Sequence, residues 1–299
     1  MPMVGEGGAG GGGAERGRLL VSCPDRPGVV AAVSHFLWEQ GANIVHSDQH
    51  STDPGGGGLF FMRIEFDLAG LADRLPDLER DLLARTARRF RLETRWSLAA
   101  RRKRLAVFVS REEHCLLELL WQQRAGDLKA DIALVVGNHA DLAPLVAPWS
   151  IPFHHVPVVR DAKADAEREQ LALLENASVD AVVLARYMQI VSPDFLRPWR
   201  NRIINIHHSF LPAFAGAKPY AQAHERGVKL IGATAHYVTE DLDAGPIIEQ
   251  DVQRVDHRHG IEDLRRIGRQ IERVVLARAV AWHAEDRILV HGNKTVVFA

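Results

Sequence analysis

The stretch INIHHSFLP at residues 204–212 indicates both the fold class and the position of a site. It begins as an apolar strand and ends in a cluster of polar side chains, which is unfavourable inside a protein unless those side chains bind something. A second stretch, HYVTEDLDAGP at 236–246, again runs from a strand into an acidic, glycine-containing loop. Together they offer an amide, imidazoles and a carboxylate to one site.

Around these stretches, apolar strands alternate with helices, which predicts a Rossmann-like, mainly parallel sheet covered on both faces. The predicted strands lie near 105–110, 132–136, 154–158, 181–184, 202–206, 232–238 and 247–255, and the predicted helices near 113–124, 141–147 and 261–285. Ligands of such sheets bind beyond the carboxyl ends of the strands, which places residues 205–209 at the expected site.

The N-terminal part of the chain has a different order of elements. Strands near 19–22, 43–49, 59–67 and 90–96 and helices near 29–40 and 71–88, with a glycine-rich hairpin at 54–58, predict a ferredoxin-like βαββαβ domain. We therefore expect an α/β protein of two domains. The predicted parts are a disordered Gly-rich tail at 1–17, a small domain at 18–97, a linker at 98–104 and a larger domain at 105–299.

Charge and composition narrow the class of partner. The chain has 37 Lys and Arg against 38 Asp and Glu, so no net field attracts nucleic acid or an anionic membrane. The basic run AARRKR at 99–104 is interpreted as a solvated linker rather than a nucleic-acid patch. Two cysteines without a CxxC pair, no signal peptide and no apolar span predict a cytoplasmic protein with a small-molecule partner and no membrane contact.

A specific resemblance rests on four segments. They are CPDRPGVVAAVSHFL at 23–37, NIHHSFLPAFAGAKPY at 205–220, GATAHYVTEDLDAGPI at 232–247 and HGNKTVVF at 291–298. The chain resembles the formyltetrahydrofolate-utilising hydrolases and transferases and, within them, the formyltetrahydrofolate deformylases. The resemblance implies an ACT domain before a formyltransferase-like domain, and hydrolysis of 10-formyltetrahydrofolate to formate and tetrahydrofolate. It further implies that the formate supplies purine synthesis and that one-carbon pools are balanced.

The resemblance places the family's catalytic amide, imidazole and carboxylate at Asn205, His207 and Asp243. Asn205 is expected to donate to the formyl oxygen, and His207, on the same side of the strand, to transfer a proton. Asp243 would orient water, accept its proton and hold the His207 charge, with His236 and Ser209 as supporting residues. No metal or other cofactor is expected, because the neighbouring histidine pairs lack a matching acidic cluster.

The resemblance also places the folate-binding loop after the strand at 181–184. Its predicted binding residues are Arg186, Tyr187, Met188, Ile190 and Val191. The alternative for any one of these side chains is ordinary packing in the core.

Two alternative functions remain open. A glycinamide ribonucleotide formyltransferase needs a glycine-rich loop for its phosphate, but SREEH at 110–114 has no glycine and carries two carboxylates, which favours hydrolysis. The second alternative is a folate or amino-acid sensor without catalysis, which the joint presence of the three catalytic side chain types disfavours.

The small domain resembles ACT modules, which commonly bind amino acids at dimer interfaces. The predicted effector residues are Asp25 and Gly28, at the start of a helix whose free N–H groups suit a carboxylate, and Asn43. A purely oligomerising surface is the alternative, and a homo-oligomer, dimer or tetramer, is expected in either case.

Overall fold

The computed structural model describes residues 14–53, 57–86, 89–212 and 219–299. The chain divides into two units between Arg101 and Arg102. Most of the predicted Gly-rich tail, part of the glycine hairpin at 54–58 and most of the GAKPY loop at 216–220 lie outside the described residues.

The first unit is a four-stranded antiparallel sheet with two helices. Its elements are β1 (Ala14–Pro24), α1 (Val29–Glu39), β2 (Asn43–Ser51), β3 (Leu59–Ala69), α2 (Leu71–Thr86) and β4 (Glu93–Leu98). The strand order β2-β3-β1-β4 confirms the βαββαβ prediction. Leu19 and Ile64 of the sheet pack in one core with Phe36 of α1 and Leu82 of α2. Burial is continuous over residues 17–21 of β1 and 60–64 of β3, the two central strands of the sheet.

Strand β1 begins at Ala14, so the prediction of disorder through residue 17 is wrong for residues 14–17. Ala14 pairs with Ala69, and Arg16 forms an ion pair of 2.9 Å with Asp67. Glycine-rich composition suggested disorder, but pairing with β3 overrides it. A Cβ at Gly17 would lie 2.5 Å from the Phe66 ring, so the glycine allows close packing here.

The connection between the units is shorter than the predicted linker at 98–104. Leu98 still belongs to β4, and β5 begins at Lys103. Arg102 donates to the carbonyls of Leu128 and Ala130, and Lys103 Nζ lies 2.6 Å from Asp286. The basic run is therefore held by specific contacts within the second unit.

The second unit is a seven-stranded sheet with helices on both faces. Its strands are β5 (Lys103–Val109), β6 (Ala130–Gly137), β7 (Phe153–His155), β8 (Ala181–Ala185), β9 (Ile203–His207), β10 (Leu230–Tyr237) and β11 (Ile247–Arg254), with a separate hairpin of β12 (Ile288–His291) and β13 (Lys294–Val297). Its helices are α3 (His114–Ala125), α4 (Ala143–Val146), α5 (Lys163–Asn176), α6 (Pro193–Leu196), α7 (Pro219–Glu225) and α8 (Ile261–Ala284).

The sheet has the order β11-β10-β9-β8-β5-β6-β7. The five strands β5 to β9 are parallel to one another. Strand β10 is antiparallel to both of its neighbours, β9 and β11. These pairings confirm a mainly parallel sheet. Leu116 of α3 and Val275 of α8 belong to the core on one face, and Phe108 and Phe195 to the core on the other. No helix among the described residues is long and apolar enough to cross a bilayer.

Helix α5 was not predicted. Its buried positions are Ala166, Glu167, Gln170 and Leu174, so half of its inner face is polar and the apolar periodicity is weak. Gln170 donates 2.9 Å to the Tyr187 hydroxyl, and Glu167 accepts 2.8 Å from the backbone of Ser192. These bonds let polar residues replace apolar ones in that core, and they also anchor the loop that follows β8.

Candidate active site

Strand β9 presents Asn205 and His207 on the same face, because alternate residues of a strand point to the same side. Its neighbour β10 places His236 opposite Asn205 in register. The site therefore has two strands as its base, and their side chain positions are fixed by backbone hydrogen bonds.

The loop after β10 returns over that base and carries Asp243. A Cβ at Gly245 would lie 1.8 Å from the Tyr237 carbonyl oxygen, so a glycine is needed for the loop to pass this close. Asp243 itself has φ of 54°, a left-handed conformation that aspartate tolerates better than most residues. Together these two residues direct the Asp243 carboxylate toward the strands.

The four polar side chains form one connected group. Asp243 Oδ2 lies 3.2 Å from His207 Nδ1, and Asp243 Oδ1 lies 3.7 Å from His236 Nε2. His236 Nδ1 lies 2.9 Å from the Tyr237 carbonyl, which can only accept, so Nδ1 donates. In the neutral ring, Nε2 then accepts from Asn205 Nδ2 at 3.2 Å. This network fixes the orientation of the Asn205 amide.

The environment keeps Asp243 ionised. The hydrogen bond from His207 holds the pKa of Asp243 well below its usual value despite partial burial. The other nitrogen of His207, Nε2, is buried and has no hydrogen-bond partner among the described residues. A group of that kind requires a partner from a ligand or from water.

A cavity of about 300 Å³ opens beside this group. The predicted site residues that line it are Asn205, His207, Asp243, His236, Arg186, Tyr187, Met188, Ile190 and Val191. Ser209 is not among the described residues that line the cavity. It is buried, and its backbone carbonyl accepts a 2.9 Å hydrogen bond from the Thr234 hydroxyl.

The cavity mouth is apolar. Met188, Ile190 and Leu242 are 58%, 63% and 64% exposed, which is unusual for large apolar side chains that line a cavity. Ser110 accepts 3.0 Å from the Met188 backbone N–H and so holds this loop in place. Tyr187, in contrast, is buried with its ring 5.3 Å from that of Phe108, and its position serves packing as well as lining.

Some lining residues were not individually predicted as site residues, although 189, 206 and 208 lie inside the predicted segments. These lining residues are Leu184, Gln189, Ile206, His208, Val238, Thr239, Glu240 and Leu242. Their proximity to predicted residues in the sequence is the signal that could have identified them. Burial, followed by the charge of Arg186, lowers the pKa of His208 to about 4, so this imidazole is neutral at physiological pH.

One group of described residues has ligand atoms close enough together to hold a metal ion. These are His114, Cys115 and Glu272, with ligand atoms within 4.8 Å of one another. The guanidinium of Arg186 lies 3.4 Å from the Glu272 carboxylate and supplies positive charge there already. Burial raises the pKa of the Cys115 thiol well above its ordinary value, which disfavours the thiolate that metals bind.

The first unit contains a cavity of its own, of about 490 Å³. Asp25 and Gly28 line it, together with Arg26, Gln49 and Phe60. The Asp25 carboxylate accepts a hydrogen bond from Ser51, and Gly28 has φ of 96° at the start of α1. Asn43 lies elsewhere, at the amino end of β2 opposite Asp67. The structure therefore brings two of the three predicted effector residues together.

Comparison with known proteins agrees with both units. Residues 17–82 match the ACT domain family, and residues 103–280 match the Formyl transferase family. A formyltetrahydrofolate deformylase of Bacillus subtilis (strain 168) is 58% identical over 95% of this chain and 94% of its own length.

Solved structures give the same relationship. A formyltetrahydrofolate deformylase from Pseudomonas syringae pv. tomato has a TM-score of 0.89 and 50% identity, covering 96% of this chain and 95% of that one. A glycinamide ribonucleotide transformylase 1 from Symbiobacterium toebii has a TM-score of 0.63 and 31% identity, covering 66% of this chain and 95% of its own. The similarity to the deformylases, unlike that to the transformylase, extends over nearly the whole chain. The chain belongs to the formyltetrahydrofolate deformylase family.

Proposed function

We propose that this protein hydrolyses 10-formyltetrahydrofolate to formate and tetrahydrofolate. The single observation that carries the proposal is the convergence of Asn205, His207 and Asp243 on one cavity, in a chain of the deformylase family. The exposed apolar side chains at the cavity mouth, Met188 and Ile190, suit the flat ring of a pterin, which would cover them.

Asn205 stabilises the negative charge that forms on the formyl oxygen when water adds to the formyl carbon. Its amide donates one N–H to His236, so the second N–H is free to point toward the substrate without reorganisation. A preorganised donor of this kind contributes about 3 kcal/mol to the transition state.

His207 and Asp243 handle the protons. A carboxylate with a strongly lowered pKa is a weak base, so Asp243 acts mainly by holding the Nδ1–H of His207 and orienting the water. This role is narrower than the proton acceptor that the sequence suggested. The proton of the attacking water passes to His207 Nε2, the nitrogen without a protein partner, and then to the departing folate nitrogen.

We propose that this chemistry requires no metal ion or other cofactor. The polar groups of the site bond to one another, and the amide and imidazole supply the positive electrostatic environment that the oxyanion needs. Among the residues that the structure describes, the one group with metal-ligand spacing is His114, Cys115 and Glu272, which is distinct from the Asn205–His207–Asp243 group. Its Glu272 carboxylate is already paired with Arg186.

Water is the proposed acceptor of the formyl group in preference to a phosphorylated amine. The loop after β5 has no glycine to expose its backbone N–H groups, and Glu112 and Glu113 are exposed carboxylates that would repel a phosphate. Ser110 in that loop is bonded to Met188 instead. A sensor without catalysis is disfavoured, because the ordered Asn205–His236–Asp243–His207 network has no evident purpose in binding alone.

Purified protein incubated with 10-formyltetrahydrofolate alone is expected to release formate and tetrahydrofolate in equal amounts. The measurement is formate by a coupled assay and tetrahydrofolate by absorbance, before and after treatment with a chelator. Strict dependence of turnover on an added amine would contradict the choice of water, and loss of turnover after chelation would contradict the metal-free mechanism.

We propose that the ACT unit binds a free amino acid and that the protein is a homo-oligomer. Asp25 would pair with the ammonium group, and the free N–H groups at Gly28, where α1 begins, would take the carboxylate. Because the cavity lies in the first unit, the effector would change activity without competing with folate.

Among glycine, serine and methionine, at least one is expected to change kcat or KM of the full-length protein. The Asp25→Ala variant should lose this response while keeping basal activity, because the cavity would lack its carboxylate. Isothermal titration and the formate assay check both statements. No heat and no change in rate with any of the three would favour a purely oligomerising role.

We also propose a cytoplasmic location and a role in supplying formate to purine synthesis. Both cysteines are free and buried, which suits a reducing compartment. Formate is the form in which a hydrolase of this kind returns the one-carbon unit.

A further inference from the structure

A buried charged cluster lies behind one wall of the substrate cavity. Its centre is the carboxylate of Glu272 on α8, whose side chain is 1% exposed. His114 Nε2 lies 2.8 Å from this carboxylate, the Tyr220 hydroxyl donates to it at 2.7 Å, and Arg186 Nε lies 3.4 Å away. An ionised carboxylate is unfavourable in the interior unless it is paired and hydrogen bonded, so three partners are expected.

The cluster keeps Glu272 charged. Burial would raise its pKa, but the hydrogen bond from His114 and the charge of Arg186 outweigh burial, and the pKa stays below its usual value. The hydrolytic mechanism proposed above uses none of His114, Tyr220 and Glu272. A fully paired buried charge beside an active site therefore lacks an explanation.

Arg186 connects the cluster to the cavity. It lines the cavity, whereas Glu272 does not. The Arg186 side chain is 13% exposed, and its Nε and Nη1 atoms are buried without a hydrogen-bond partner among the described residues. The guanidinium is thus held toward Glu272 mainly by charge, and it separates the carboxylate from the cavity.

The backbone at this position is also unusual. Arg186 has φ of 60°, in the left-handed region that favours glycine. An arginine that occupies such a conformation, and that also leaves two buried donors without hydrogen bonds, is retained at a cost to stability. This combination is typical of functional positions.

The position of Arg186 bears on which nucleophile reaches the formyl carbon. Arg186 lines the same cavity as His207 and His208, so the Arg186 side chain lies near the catalytic end of β9. Most primary amines are cations at neutral pH, and a guanidinium repels them as well as filling the space they need. Water is small and neutral, so the guanidinium neither repels it nor blocks its approach.

Without the Arg186 side chain, this wall of the cavity would be negatively charged instead of positively charged. The cavity would extend to the carboxylate of Glu272, flanked by His114 and the Tyr220 hydroxyl, and a carboxylate is the group that holds an amine. The wall therefore separates a water site from a latent amine site.

We propose that Arg186, anchored by Glu272, is a specificity-determining residue that closes the amine side of the cavity and leaves water as the acceptor. The inference rests on the hydrolytic function proposed above. In the reaction that it prevents, an amine nitrogen bonds to the formyl carbon, the bond from that carbon to the folate nitrogen breaks, and one amine proton moves to that nitrogen. The products would be an N-formyl amine and tetrahydrofolate.

The test compares Arg186→Gly with wild type in the presence of 10-formyltetrahydrofolate and glycinamide. Glycine suits φ of 60°, so the backbone is not strained by the change. The ratio of N-formylglycinamide to formate is expected to rise by about 10- to 100-fold, the range that a change in pocket shape and charge produces. Mass spectrometry with isotopically labelled formyl substrate measures both products.

Three further variants make the test decisive. Arg186→Lys keeps the cation and should form no more N-formylglycinamide than wild type. Arg186→Asn removes the cation, tolerates the left-handed backbone and keeps the Glu272 carboxylate. It should also raise the ratio, which keeps the proposal testable if Arg186→Gly does not fold. Arg273→Ala removes the neighbouring ion pair of α8 with Glu118, which does not line the cavity, and should leave the ratio unchanged.

Two results would overturn the proposal. One is a folded Arg186→Gly protein that still hydrolyses its substrate and forms no N-formylglycinamide. The other is a ratio in a folded Arg186→Asn protein equal to that of wild type when Arg186→Gly cannot be obtained. Formate release by the wild type without amine tests the hydrolytic function separately.

Discussion

The Asp243→Asn variant is expected to lose formate release by roughly 10²- to 10⁴-fold, the range of a positioned proton-transfer system. The reason is that Asp243 holds His207 through a contact of 3.2 Å and stays ionised at neutral pH. Asparagine has the same size but no charge, and it can present its NH₂ to His207. The imidazole would then be held in the wrong tautomer, with its proton on the nitrogen that must receive one.

Folate binding should be largely kept in this variant, because the apolar mouth formed by Met188 and Ile190 is unchanged. The measurements are kcat for formate release and calorimetric titration with tetrahydrofolate. Asp241→Asn in the same loop is the matched control, since Asp241 is exposed and does not line the cavity. It should retain activity within about twofold, as surface substitutions usually do. Near-normal kcat in Asp243→Asn would exclude the proposed role.

The Asn205→Ala variant should lower kcat by about 10²- to 10³-fold, which corresponds to the loss of one preorganised oxyanion donor. KM should change less than kcat, because the amide acts on charge that develops only after substrate binds. The Asn205 side chain is fixed by His236 at 3.2 Å, so its contribution requires no reorganisation during the reaction.

Asn205→Asp provides the sharper comparison, because it keeps the shape and replaces the donor by a negative charge. It should be slower than Asn205→Ala, since a carboxylate opposes the charge on the formyl oxygen. Equal rates for the two variants, or a loss below about threefold in Asn205→Ala, would indicate that the amide is not an oxyanion donor.

The sequence predicts well the site residues that lie on strand β9. Asn205 and His207 fall two residues apart at the end of an apolar strand, and the two-residue period of a strand is enough to put them on one side. The loop after β8 follows an apolar strand, where ligands of such sheets bind, but the family resemblance was needed to assign its residues to folate.

The position of Asp243 in the site depends on backbone features that the periodicity of apolar residues does not reveal. The loop turns back only because Gly245 passes within contact of the Tyr237 carbonyl and because Asp243 accepts a left-handed backbone. The family resemblance, rather than the pattern of residues, identified the aspartate.

The cluster at Glu272 was beyond prediction for a different reason. Glu272 is 158 residues from His114 and 52 from Tyr220 along the chain, and it lies in a long helix whose charged residues are mostly on the solvent face. Only the packing of α3 and α7 against α8 turns that glutamate into a buried charge. Gln170 in α5 is likewise a polar residue that is buried by tertiary packing and paired with a residue of another element, Tyr187.

A crystal structure of the protein with a non-hydrolysable 10-formyl folate analogue tests the convergence of Asn205, His207 and Asp243 on the formyl group. The formyl oxygen should lie about 3 Å from Asn205 Nδ2, with a water between Asp243 and the formyl carbon. A formyl group directed away from Asn205, His207 and Asp243 in a fully occupied complex would contradict this convergence.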